Sequence, residues 1–432
     1  MQRHLQGLTP MRIVDQLPPI ATASSADPLR VSQILADVRA RGDAAVREWT
    51  SRLDGAQLDD LTVPPEVLEA AWHDLTPAEQ QALDHAARNI TAFAAAQRKH
   101  LTEFTIEIEP GVVAGQRVLP IDRVACYVPG GRYPLPSTVL MTVLIAKVAG
   151  VPEIAVFTPP SKGGLPDRYI LAAAWRAGAT TVHPIGGVQA VAAAAYGTES
   201  VRPVHLIVGP GNAWVTEAKR QVYGQVGIDA LAGPSEVMVL ADRSADVQRI
   251  AADLLAQAEH DPDAQAIAVT DDPTVADAIS QAVTEALERL PTRAVAARSI
   301  ADHGCILVVP DRAAMAAVAN QRAPEHLEIH VEDAEGLARA CTAYGGLFIG
   351  GDAAEVLGDY CTGPSHVLPT GGAGHYTGGL SVYTFVKIVS TQAALPGAAA
   401  GLARTAATLA RIEGLEAHAR AAEHRDPNRI RT

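Results

Sequence analysis

From residue 124 onward the chain alternates short apolar runs with longer Ala-rich stretches. Apolar runs at 124–128, 154–158, 181–184 and 204–208 are separated by helical periodicity at 139–149, 167–177, 188–196 and 213–223. A second set follows, with strands near 236–240, 264–270, 305–309, 326–331 and 346–349 and helices between them. Strands alternating with helices of about 10–15 residues predict parallel sheets covered on both faces. The two sets share no sequence identity, so a duplication of fold is suggested by shape alone.

The flanks read differently. Residues 1–25 are Pro-containing and poorly periodic, and are expected to form an arm. The stretch 28–99 is helical in pattern, with breaks near Gly55 and at Pro64-Pro65. Residues 103–118 alternate (Phe104, Ile106 and Ile108 apolar) around Pro110-Gly111, which predicts a hairpin. Beyond about Ser381 the sheet pattern stops, and 392–424 reads mostly as helix around Pro396-Gly397; such a tail has little core of its own and is expected to dock. The expected class is therefore α/β: two Rossmann-like doubly wound units with parallel sheets, an N-terminal arm and a helical C-terminal tail. The expected divisions are 1–25 for the arm, 26–126 with 236–380 for one α/β domain, 127–235 for an inserted one, and 381–432 for the tail.

Composition narrows the function classes. The 432 residues are 48% hydrophobic but only 4% aromatic, so the cores must rest on Ala, Val, Leu and Ile. A net charge of −13 offers no basic footprint for nucleic acid and disfavours anionic membranes. No apolar run reaches about 18 residues, and residues 1–20 lack the apolar segment of a signal peptide. Cys126, Cys305, Cys341 and Cys361 are scattered without a CxxC pair, the pattern of reduced cytosolic thiols.

Two runs carry candidate chemistry. Gly233-Pro234 makes a turn that leaves Ser235 and Glu236 at the mouth of the apolar strand Val237-Met238-Val239-Leu240. About one helix later comes Gln257-Ala258-Glu259-His260-Asp261-Pro262, where Pro262 stops the helix and Gln257 and His260, three apart, share one face of its last turn. That pair looks like half of a metal site, although each residue alone reads equally as a helix-end residue. A second possible cluster is His326-Leu327-Glu328-Ile329-His330, whose three polar side chains share one face of an extended strand. No GxGxxG follows a strand: after Gly209-Pro210-Gly211 the third position is Trp214, and after Gly372 and Gly374 it is Thr377.

These runs, with Tyr127-Val128-Pro129-Gly130-Gly131, Val208-Gly209-Pro210-Gly211-Asn212, Ala323-Pro324-Glu325-His326-Leu327-Glu328, Gly358-Asp359-Tyr360, Gly363-Pro364-Ser365-His366-Val367-Leu368-Pro369-Thr370 and finally Glu413 and His418, occur in one order over nearly the whole chain. The ordered set resembles the histidinol dehydrogenases, zinc enzymes that finish histidine biosynthesis. The resemblance implies a four-electron oxidation of L-histidinol to L-histidine through the aldehyde, with two NAD. The alternative is a related zinc- and NAD-dependent alcohol dehydrogenase acting on another small polyol.

The resemblance implies one zinc per subunit, with ligands at Gln257, His260, Asp359 and His418, a set that also suits manganese or cobalt. It implies His326 as the base and Glu325 as the residue that activates water for the second oxidation. Substrate contacts fall on Ser235, His326, Glu413 and the metal ligands. The 26–126 with 236–380 domain becomes catalytic and 127–235 NAD-binding, with Tyr127, Gln189 and Asn212 as non-classical cofactor contacts. Adjacent strand residues point to opposite faces, so Glu325 and His326 can meet one substrate only from a kinked strand entrance. Cys126, within an apolar strand, reads as a buried inert thiol. The family also implies a cytoplasmic, intertwined homodimer in which each tail completes the partner's site.

Overall fold

The structure, a computed structural model, describes residues 10–20, 26–130 and 133–426. Much of the expected arm, and Gly131 of the Pro-Gly-Gly run, lie outside the described residues. In chain order the strands are β1 (Arg12–Val14), β2 (Phe104–Glu109), β3 (Val112–Pro120), β4 (Arg123–Tyr127), β5 (Glu153–Phe157), β6 (Thr181–His183) and β7 (Leu206–Val208). They continue as β8 (Gly227–Ile228), β9 (Glu236–Ala241), β10 (Gln265–Thr270), β11 (Cys305–Val308), β12 (His326–His330), β13 (Gly346–Ile349) and β14 (Val386–Ala394). Two compact units result: one holds the residues up to Ala96 with Ile121–Phe385, the other Gln97–Pro120 with the residues from Val386.

The first unit contains two all-parallel sheets. One runs β6-β5-β4-β7-β8, the other β1-β11-β10-β9-β12-β13. Apart from β1, each sheet places its own strands in the order third, second, first, fourth, fifth. That is the doubly wound order, and it leaves a crevice beside the first strand where the winding reverses. β9 shows why such strands are apolar throughout. Val237 and Val239 face one core, Met238 and Leu240 the other, and all four are completely buried. Helices cover both faces, as the alternation requires.

Small side chains set the spacing of the layers. The helix Gly187–Tyr196 buries Val188, Ala190, Val191, Ala192, Ala193, Ala194 and Ala195 in one core with Ala125, Tyr127 and Ile207. The helix Pro28–Arg41 adds Val31, Ile34, Leu35 and Val38 to that same core. Helices Pro28–Arg41 and Asp43–Leu53 therefore pack with the five-stranded sheet. An apolar stripe shows that a helix docks, not which sheet it docks on. Within the arm, Arg12–Val14 pairs parallel to β11 as an edge strand, a stretch too short to show periodicity.

The second unit is a three-stranded antiparallel sheet, β14-β3-β2, followed by helices Ala400–Ile412 and Glu416–Glu423. β2 and β3 form the expected hairpin. The sheet pattern, read to stop near Ser381, resumes in the nine residues of β14, paired to β3, and the last three of them, 392–394, fall where helix was expected. The Val, Ile and Thr of β14 are β-formers, but Gln392, Ala393 and Ala394 run on into the Ala-rich helix and blur the boundary. No described helix is long and apolar enough to cross a membrane.

Candidate active site at the amino edge of the six-stranded sheet

Glu325 and His326 stand where β12 begins. Ala323 takes a left-handed conformation (φ 49°) and Pro324 follows it, so the chain kinks just before entering the strand. The kink resolves the problem of adjacent residues: Glu325 Oε2 lies 3.8 Å from His326 Nδ1. Glu325 accepts a 3.0 Å hydrogen bond from the Glu236 backbone amide and a further one from Ser235. Burial pushes its carboxyl well above the usual range, and the charges of Glu236 and Asp359 push the same way.

His326 has a defined tautomer. Its Nδ1 sits 3.1 Å from the carbonyl oxygen of Glu236, which can only accept, so Nδ1 carries the proton. Nε2 is then the unprotonated nitrogen; it is buried, has no hydrogen-bond partner, and lies 3.9 Å from Asp359 Oδ1. Burial pushes the ring down to about 3, so it is neutral at physiological pH. A neutral imidazole with an open lone pair is a base waiting for a proton.

The helix Val247–Ala258 delivers Gln257, fully buried, and the turn after it delivers His260. His260 Nε2 is 3.9 Å from Asp359 Oδ2. Asp359 is in the helix Glu355–Tyr360, and Glu355 precedes it by one turn on the same face. One ligand atom each from His260, Glu355 and Asp359 lies within 4.8 Å of the other two. With its nitrogen turned to Glu355, the Gln257 amide donates to both carboxylate oxygens at 2.7 and 3.2 Å. Burial raises Asp359 to about 6 and Glu355 well above the usual range, the latter helped by the charge of Asp359.

Of the expected residues, Ser235, Gln257, His260, Glu325, His326 and Asp359 are brought together in this way. Glu413, at the end of Ala400–Ile412, and His418, on Glu416–Glu423, belong to the second unit, where both are exposed. Four side chains beside these residues had been given no role. Glu355 could have been found from Asp359, because it lies four residues earlier on a helix face. His366, whose Nδ1 is 2.9 Å from the Asp359 carbonyl oxygen, was visible only inside its motif. The buried pair Arg322 and Glu236 (3.3 Å) had no local signal. Glu328 and His330 share the face of β12 as expected, but the cluster they form takes Asp253 and not His326.

Tyr127, Gln189 and Asn212 gather at the carboxyl edge of the five-stranded sheet. Tyr127 ends β4, Gln189 lies in the first turn of the helix after β6, and Asn212 caps the helix Ala213–Val222 after β7. β4 and β7 flank the crevice where the winding reverses. Each residue also has a structural partner. Tyr127 Oη accepts from the Gly187 amide at 3.1 Å, Gln189 Nε2 donates to Asp54 at 3.0 Å, and Asn212 Oδ1 accepts from Trp214 and Val215 amides. The buried Gln189 Oε1 has no partner. Cys126 is fully buried and burial pushes its thiol up to about 12, so it is no nucleophile.

The amino-edge site fits a divalent transition ion. Glu325, Glu355 and His326 are buried, Asp359 is partly buried beside them and His260 reaches in from the exposed side, while Arg322 is held by Glu236. Buried carboxylates without compensating cations are costly unless a proton or a metal joins them.

Comparison with known proteins points to one family. The family model for histidinol dehydrogenase matches residues 21–426. Histidinol dehydrogenase from Lactiplantibacillus plantarum is 45% identical over 395 residues, covering 91% of this chain and 92% of its own. That from Rhizobium meliloti is 48% identical over 394 residues, covering 90% of each. The crystal structure of histidinol dehydrogenase from Elizabethkingia anophelis superposes with a TM-score of 0.91 at 32% identity, over 96% of this chain and 98% of that one. By sequence and by fold, this chain belongs to the histidinol dehydrogenase family.

Proposed function

We propose that the chain oxidises L-histidinol to L-histidine in two successive steps at the amino-edge site, consuming two NAD and one water. The observation that carries the reading is His326: a neutral ring, with Nδ1 tied to a backbone carbonyl and Nε2 open beside Asp359. Zinc held by Gln257, His260, Asp359 and His418 would anchor the amine and imidazole nitrogens of the substrate as a Lewis acid, with manganese or cobalt as possible substitutes. NAD near Tyr127, Gln189 and Asn212 would accept the hydride.

The protein's own residues then divide the work. His326 Nε2 takes the hydroxyl proton of the alcohol, and the carboxylates of Glu325 and Glu355, each 3.8 Å from Nδ1, offset the positive charge the ring acquires. For the second oxidation Glu325 orients and deprotonates the water that hydrates the aldehyde. Burial alone favours its protonated form, so this role requires the nearby cation, which favours the ionised form. Glu355 holds the Gln257 amide so that its oxygen, the better donor to a metal, turns away from Glu355. Glu413 complements a cationic substrate.

A cytoplasmic homodimer in which the second unit of one chain serves the other completes the proposal. It is supported by four free cysteines and by the exposure of Glu413 and His418. The deciding experiment counts NADH formed per histidinol consumed. Two is expected. One, with aldehyde accumulating, would reduce the protein to a simple alcohol dehydrogenase.

A further inference from the structure

The helix and the strand that build the active site carry a second tier of polar residues deeper in the sheet. Asp253 lies one turn before Gln257 on Val247–Ala258, and Glu328 and His330 follow His326 at alternate positions of β12. His330 Nε2 is 3.5 Å from Glu328 Oε2 and 4.0 Å from Asp253 Oδ2. One ligand atom from each of the three lies within 4.8 Å of the others.

His330 is 4% exposed, and neither of its ring nitrogens has a hydrogen-bond partner; Glu328 Oε2 has none either. Among the described residues no Lys or Arg is ion-paired with either carboxylate; Arg249, on the preceding turn, is held by Asp352 and the Gly351 carbonyl at 2.7 Å. Buried imidazole and carboxylate atoms are seldom left without partners, because the lost hydration is not recovered. Here two such groups, His330 and Glu328, converge beside the buried carboxyl of Asp253.

We propose that Asp253, Glu328 and His330 form a second divalent-cation site, separate from the ion assigned to Gln257, His260, Asp359 and His418. The donor set, two carboxylates and one imidazole, suits zinc or manganese. Two ligand atoms each about 2.1 Å from a tetrahedral ion stand roughly 3.4 Å apart, so the observed spacings need only a small closing. Without an ion, burial and then the charge of Glu328 push Asp253 up to about 7; a bound ion would favour its ionised form. Glu328 Oε1 accepts the Glu355 backbone amide at 2.6 Å, so an ion here would fix the start of the helix that carries Glu355 and Asp359.

The test is metal content per chain after reconstitution of the full-length protein with manganese and removal of free ion. Wild type should hold two equivalents. His330→Leu and Glu328→Gln should each hold one, and His260→Asn should also hold one, having lost the other ion. A wild type that never exceeds one equivalent overturns the proposal, as does a second equivalent retained in both His330→Leu and Glu328→Gln. Should those variants fail to fold, anomalous diffraction from manganese-soaked wild-type crystals decides: a peak among the three side chains supports the site, and its absence removes it. If only His260→Asn leaves both equivalents in place, the amino-edge assignment fails and the second site stands.

Discussion

At the scale of single residues, environment assigns roles that residue type alone leaves open. Glu325 and His326 touch the same pocket but should separate in their effects. His326→Asn removes the base common to both oxidations and should slow each by about 10²- to 10⁴-fold. Glu325→Gln should leave oxidation of histidinol to the aldehyde measurable while abolishing turnover of added histidinal. Normal turnover of histidinal by that variant would end the water-activating role, and an unaltered half-reaction in His326→Asn would end the shared base. Asp54 gives a pH-dependent case outside the reacting centre. Burial pushes its carboxyl up to about 6, against the pull of the Gln189 hydrogen bond. The folded state therefore binds this proton more tightly than the unfolded chain, whose carboxyl titrates near pH ~4. The associated stabilisation is full below about pH 4, is lost as pH rises toward 6, and is gone above that. Urea unfolding of wild type and Asp54→Asn should show the variant gaining on wild type between pH 4 and 7. A constant difference across that range would mean that Asp54 does not titrate in the fold.

At the scale of elements, the crevice of the five-stranded sheet depends on a glycine. Gly209 has φ 110°, and a Cβ there would overlap the carbonyl oxygen of Tyr127. Gly209→Ala should cost about 2–4 kcal/mol by combining backbone strain with overpacking. It should also weaken NAD binding, because Tyr127 must shift; unchanged urea midpoint and unchanged NAD affinity would together refute this. Most strands and helices from 124 to 349 were legible because strands such as β9 are apolar on both faces and many of the helices between them are Ala-rich. Partner choice was not. Val31, Ile34, Leu35 and Val38 announce a docking face, yet their destination against Ala125 and Ile207 is a long-range fact. Strand order was equally hidden, since the pairing of β9 with both β10 and β12 spans distant sequence. In the site, Gln257 and His260 had a spacing, whereas Glu355 had only a helix face shared with Asp359, and Arg322 meets Glu236 across 86 positions of sequence.

At the scale of the whole molecule, the second unit is the unexplained part of a monomer. Its two helices bury only small side chains together, Ala407, Ala410 and Ala419, while Ile412 is 76% and Leu409 55% exposed. On its sheet Phe104, Ile106, Ile108 and Ile388 are each about half exposed. So much exposed apolar surface on a small unit is characteristic of an interface, and a second copy of this chain is the occupant we propose, with His418 and Glu413 delivered to the partner's site. Exchange of an element between protomers is a common route to a symmetric dimer. The arrangement can be tested with two inactive variants. In a heterodimer of His326→Asn with His418→Asn, a shared-site geometry puts both lesions in one site and leaves the other intact. Random pairing makes about half of the dimers mixed, each with one working site of two, so co-expression should restore roughly a quarter of wild-type activity. If each tail served its own chain, every site in the mixed dimer would carry one lesion. Co-expressed dimers that form but stay inactive would then rule out the exchange, and His418 would have to reach the metal within a single chain.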